Sequence, residues 1–90
     1  MSKTVNIEIF TAPNCNRCGR AVSLVQSLAQ EPGNDWIAWR RVDVVAELDY
    51  AVAMGVRATP AIAIDGKLMF TARPTHDKLY LTLQQHLSES

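Results

Sequence analysis

The chain is poor in several things at once. Its 90 residues hold only two cysteines and two histidines, and nine basic residues cancel nine acidic ones. No apolar stretch approaches the roughly 20 residues of a membrane span. There is no internal repeat, no low-complexity segment and no linker. Each scarcity excludes something. Without net charge, no overall field draws the chain to nucleic acid or an anionic membrane, although balanced totals can hide a local patch. The opening "MSKTVNIEIF" has no basic region followed by a long apolar run, so a signal peptide is not expected. The expected compartment is the cytosol, where thiols are kept reduced and a lone C-x-x-C is more often catalytic or metal-binding than structural. A disulfide closing so short a loop would also constrain the unfolded chain little.

What remains is an ordinary soluble globule, 48% hydrophobic and 20% charged. A chain this short buries roughly 60% of its unfolded surface, enough for one core, so residues 1–90 are expected to form a single domain. "TVNIEIF" alternates Val5, Ile7 and Ile9 against Asn6 and Glu8, which is strand periodicity. After the turn "TAPN", Asn14 is a good helix cap, and the spacing predicts a helix from Cys15 to about Gln30. Cys18, Ala21, Val22, Val25, Leu28 and Ala29 lie three and four apart on one face of it. Pro32 and Gly33 end it.

"WIAWRRVDV" reads as a second strand, with Arg40 and Arg41 suited to a sheet edge. "VAELDYAVAMG" reads as a short helix closed by Gly55. "VRATPAIAIDGKLMF" is a hairpin about the Asp65-Gly66 turn. "PTHDKLYLTLQQHL" gives a last helix, with Thr75 as cap and Leu79, Leu83 and Leu87 in register. The order is β-α-β-α-β-β-α. The first two strands should run parallel through a right-handed crossover.

"FTAPNCNRCGRAV", residues 10 to 22, carries the chemistry. Both cysteines are here, with Arg17 and Arg20 close by and no acid from Ile9 to Gln30. In this frame Cys15 falls at a helix N-terminus, where unpaired N–H groups and the helix dipole favour an anion. Nearby arginines act in the same sense, and the thiolate is the attacking species. Cys18 lies one turn further in, on the apolar face. Cys15 is therefore the expected nucleophile and Cys18 the resolving thiol.

"TAPNCNRC" after the first strand, "VRATPAI" before the hairpin, and the order of elements resemble the thioredoxin and glutaredoxin superfamily over residues 4 to 87. "GVRATPAIAIDGKLMFTARPTHDKL" is most similar to the small, glutaredoxin-sized thioredoxins. The resemblance implies an α/β thioredoxin fold, a four-stranded mixed sheet flanked by three helices. It implies the same roles for Cys15 and Cys18, and a cis peptide bond at Thr59-Pro60 beside them, with the backbone before the proline pairing with a bound substrate strand. Substrate contact is accordingly expected at Thr59 and Pro60; Arg17, between the cysteines, is a further candidate for it that the resemblance does not supply. Three departures stand out. Asn16-Arg17 separates the cysteines, Asn14 replaces the tryptophan that precedes the motif in the large thioredoxins, and Ile9 stands where those proteins bury an acid.

The resemblance implies a monomeric cytoplasmic dithiol–disulfide oxidoreductase with no cofactor. Its partners would be protein disulfides and an electron-donating reductase or a low-molecular-weight thiol. Two alternatives remain open at this stage. A glutathione-linked glutaredoxin lacks support from "FTARPTHDKL", which has no Gly-Gly. A soft-metal-binding thiol module needs further ligands. Only His76 and His86 are on hand, about 15 Å apart along one helix. Both read as surface residues, and Trp36, Trp39 and Tyr50 read as packing residues.

Overall fold

The computed structural model describes residues 4–89; residues 1–3, the start of the stretch read against a signal peptide, lie outside the described residues. Seven elements follow one another: β1 (Val5–Thr11), α1 (Cys18–Gln30), β2 (Ile37–Asp43), α2 (Leu48–Met54), β3 (Ala61–Ile64), β4 (Lys67–Phe70) and α3 (His76–Glu89). The sheet order is β2-β1-β3-β4. β1 pairs parallel with β2 and antiparallel with β3, and β3 pairs antiparallel with β4. This is the expected four-stranded mixed sheet, with β2 on an edge.

Alternation along β1 divides the core. Val5, Ile7 and Ile9 pack with Val25 and Leu28 of α1 and Leu79 and Leu83 of α3. Phe10 points the other way and packs with Val42, Ala51 of α2, Ala61 and Ala63. Period-2 side chains on one strand thus feed two cores. The continuously buried "AIAI" of β3 serves both.

Local signals fix the ends of the elements. Asp65 and Gly66 have φ of 50° and 82°, the paired left-handed geometry of a type I′ turn. The Asp65 carboxylate also accepts the Asn6 N–H at 2.9 Å. Gly55 closes α2 in the left-handed conformation, its N–H donating to the Ala51 and Val52 carbonyls. Thr75 Oγ1 accepts the Lys78 N–H at 3.2 Å, capping α3.

The predicted start of α1 needs correction. The first helical residue is Cys18, not Cys15, and the cap position is Arg17, with no side-chain cap hydrogen bond. Asn14 is not the cap. Pro13-Asn14 and Asn16-Arg17 form two turns instead, and the Cys15 N–H donates to the Ala12 carbonyl at 3.2 Å. Asparagine competes with helix by favouring turns, and two of them flank Cys15.

α1 and α3 are also tied together at the surface. His76 Nε2 meets the Glu31 carboxylate at 2.6 Å, and Nδ1 lies 3.3 Å from Asp77. The hydrogen bond to Glu31, then that to Asp77, raises the His76 pKa above the usual imidazole range. The folded state therefore holds this proton more tightly than the unfolded chain. The stabilisation is fully present below the unfolded value of about 6.5 and is lost as pH rises through the folded one. Wild type should melt above His76→Gln in mildly acidic buffer, with the gap closing in alkaline buffer. Paired thermal melts across that range check this. The gap should be small and should shrink with salt, because both side chains are exposed.

Candidate active site

β1 delivers the chain to the site. Thr11, its last residue, is buried; its hydroxyl accepts Arg41 Nε–H at 3.1 Å and its carbonyl accepts the Val44 N–H at 2.9 Å. These bonds hold the exits of β1 and β2 together at one end of the sheet. The turn of Ala12, Pro13 and Asn14 then leads to Cys15.

Cys15 and Cys18 are joined as a disulfide, with Cα atoms 5.5 Å apart. They differ sharply in access. Cys18, on the buried face of α1, is 1% exposed, whereas Cys15 is half-buried. Cys15 opens into a cleft of about 530 Å³ lined also by Pro13, Arg17, Val45 and Thr59. Thr59 comes from the loop before β3, more than forty residues away in sequence. Its peptide bond to Pro60 is cis, and Pro60 is buried. The structure thus brings Cys15, Arg17 and Thr59 to one cleft. Pro60 borders a second cavity of about 330 Å³, again with Arg17 and Thr59.

The start of α1 at Cys18 changes the electrostatic argument. Cys15 precedes the helix instead of lying in its first turn. The dipole acts most strongly within that turn, so its contribution at Cys15 is smaller than the sequence reading supposed. Arg17, exposed at the cap position, borders the same cleft as Cys15. Ile9 is fully buried in the apolar core, so its place on β1 carries no carboxylate.

Two residues at the site escaped the sequence reading. Val45 is 66% exposed at the lip of the cleft. Asp43 fixes it there, its carboxylate accepting the Val45 and Ala46 N–H groups at 2.8 and 3.3 Å. That side-chain turn was the available signal. Arg73, on the wall of the second cavity, follows β4, and nothing local marks it.

The main polar cluster lies elsewhere, and none of its members lines the cleft. The Glu8 carboxylate accepts Arg40 Nε–H at 2.9 Å, Arg40 Nη2–H at 2.6 Å and the Tyr50 hydroxyl at 2.5 Å. The Tyr50 hydroxyl is pushed above its ordinary range, first by that hydrogen bond and then by burial. Its ring packs on Phe10 with centroids 5.9 Å apart. The cluster fastens α2 to the sheet. Among the described residues, no group of three or more His, Cys, Asp or Glu side chains is placed to hold a metal ion.

Known proteins are similar to this chain in sequence and in fold. The thioredoxin domain model matches residues 5–83. The chain is 34% identical over 83 residues to a probable thioredoxin of Methanothermobacter thermautotrophicus, covering 92% of this chain and 96% of that one. It is 33% identical over 87 residues to a thioredoxin of Methanocaldococcus jannaschii, covering 97% and 100%. Among solved structures, a mutant thioredoxin from Halobacterium salinarum superposes with a TM-score of 0.79 at 24% identity. That match covers 94% of this chain and 76% of the other.

Proposed function

The chain belongs to the thioredoxin family, and on that premise we propose that Cys15 attacks protein disulfides and Cys18 resolves the intermediate. The family and the paired cysteines make it a dithiol–disulfide oxidoreductase. The observation that carries the division of roles is access: Cys15 borders the open cleft and Cys18 is buried beneath it.

Starting from the reduced dithiol, the Cys15 thiolate attacks one sulfur of the substrate disulfide. A Cys15–substrate bond forms, the substrate S–S bond breaks, and the departing thiolate takes up a proton. Cys18 loses its proton and attacks the Cys15 sulfur. The Cys15–Cys18 bond forms and the second substrate thiolate leaves and is protonated. Two electrons and two protons have passed to the substrate. The Cys15–Cys18 disulfide is the oxidised form that such a cycle would leave. A reductase or a low-molecular-weight thiol returns it to the dithiol.

Thr59 offers its backbone to an extended substrate strand lying across the cleft, Pro60 shapes that loop, and Arg17 contacts the bound segment. The whole chain acts as one monomeric domain in the cytosol. Among the described residues, no helix is long and apolar enough to cross a membrane.

The direct test is Cys18→Ser. With no resolving thiol, this variant should accumulate a covalent adduct with a peptide disulfide, visible by intact mass under non-reducing conditions. Proteolysis should place the adduct on Cys15. Failure to form it would sink the assignment.

A further inference from the structure

The second cavity is lined by three arginines and by no acidic residue. Arg17, Arg20 and Arg73 line it together with Thr59 and Pro60. Arg17 and Arg20 are three residues apart, so they project from one side of the start of α1. Arg73 arrives from the segment after β4. Among the described residues, none of the three makes an ion pair. The chain as a whole has no net charge, so this is a local concentration of one sign.

Three positive side chains around one cavity attract an anion to it. The acid-free run from Ile9 to Gln30 leaves α1 without one. Guanidinium groups keep their charge at any pH where thiols react, and their planar forks match a carboxylate in paired hydrogen bonds. At about 330 Å³ the cavity is large enough for one or two acidic side chains. It shares Arg17 and Thr59 with the Cys15 cleft. An anion seated here would lie beside whatever reacts at Cys15.

We infer that this cavity is a carboxylate subsite, and that the protein selects disulfides carrying a carboxylate next to the reacting sulfur. Carboxylate is the anion that peptides and peptide-derived thiols carry. The inference rests on the oxidoreductase reading above and names the substrate class of that site. Arg20 and Arg73 select the substrate by charge; they take no part in the exchange itself.

The test uses the full chain, reduced with dithiothreitol and freed of it. It is mixed with peptide disulfides that differ only in having Glu, Gln or Lys beside the cysteine. Acid-quenched chromatography gives the single-turnover rate constants. The Glu peptide should react about five- to thirtyfold faster than the Gln peptide at low salt, and the Lys peptide slowest. The advantage should shrink as salt screens it. Charge reversal by Arg20→Glu with Arg73→Glu should invert the order, making the Lys peptide the best substrate. Both side chains are exposed, and an inverted preference is a gain that a misfolded protein does not show.

Equal rates for the Glu and Gln peptides, or an order unchanged by the double variant, would overturn the inference. If wild type reduces none of the three, the oxidoreductase reading itself fails. Oxidised glutathione, run in parallel, identifies the source of the carboxylate. A faster, variant-sensitive reaction with it than with the Glu peptide assigns the subsite to small thiols. A slower one assigns it to acidic protein segments.

Discussion

Cys15→Ser protein should reduce insulin disulfides no faster than dithiothreitol alone. Serine is not ionised at neutral pH and cannot form the mixed disulfide through which the electrons pass. Cys18 does not substitute for it. At 1% exposure, on the inner face of α1, its sulfur is out of reach of a protein disulfide. The fold should survive the change, because the disulfide lost closes a loop of only a few residues and constrains the unfolded chain little. Insulin turbidity, read beside circular dichroism of the same sample, separates lost chemistry from lost structure. Substantial activity in Cys15→Ser would reverse the assigned roles.

The second large effect is on stability. Phe10→Ala should cost about 3–5 kcal/mol, the range for removing a buried aromatic ring. Phe10 is the largest fully buried side chain of the α2-side core. Its neighbours there include Ala51, Ala61 and Ala63, which are too small to close the space it would leave. A domain of this kind has only about 5–15 kcal/mol in total. At about 4–8 °C per kcal/mol, the melting point should fall by more than about 12 °C. Phe10→Leu keeps most of the volume and should lose less than about 1.5 kcal/mol. Urea unfolding of the three proteins checks the ranking. A loss below about 1 kcal/mol for alanine would mean that α2 collapses onto the sheet without strain.

Much of this was legible in the sequence because it is written in local pattern. Val5, Ile7 and Ile9 alternate as a strand must, and Cys18, Ala21, Val25 and Leu28 repeat as a helix face must. All of them are buried. Asp65-Gly66, Gly55 and Thr75 each do what their backbone chemistry dictates. The start of α1 was misread because Asn14 suits either a cap or a turn, and only the path of the chain between Thr11 and Cys18 decides which. The contacts that depend on register were not readable. Glu8 meets Arg40 because β1 and β2 pair in a frame that sets those two opposite each other. The meeting of Arg73 with Arg17 and Arg20 depends on where the segment after β4 crosses α1. The cysteine pair was found by its spacing, while the cleft beside it is a product of tertiary structure.

The position of β1 has a consequence for how the protein is made. It is an interior strand of the sheet, yet it precedes both of its partners in the chain. On the ribosome it waits about thirty residues for β2 and somewhat over fifty for β3. During that interval Val5, Ile7, Ile9 and Phe10 have no sheet to enter, and closing such distant pairings is slow. The two cysteines emerge well before Thr59, so the nascent chain carries bare thiols before it carries a cleft. A chaperone that shields the first forty residues would protect an apolar strand and, with it, a pair of unguarded sulfurs.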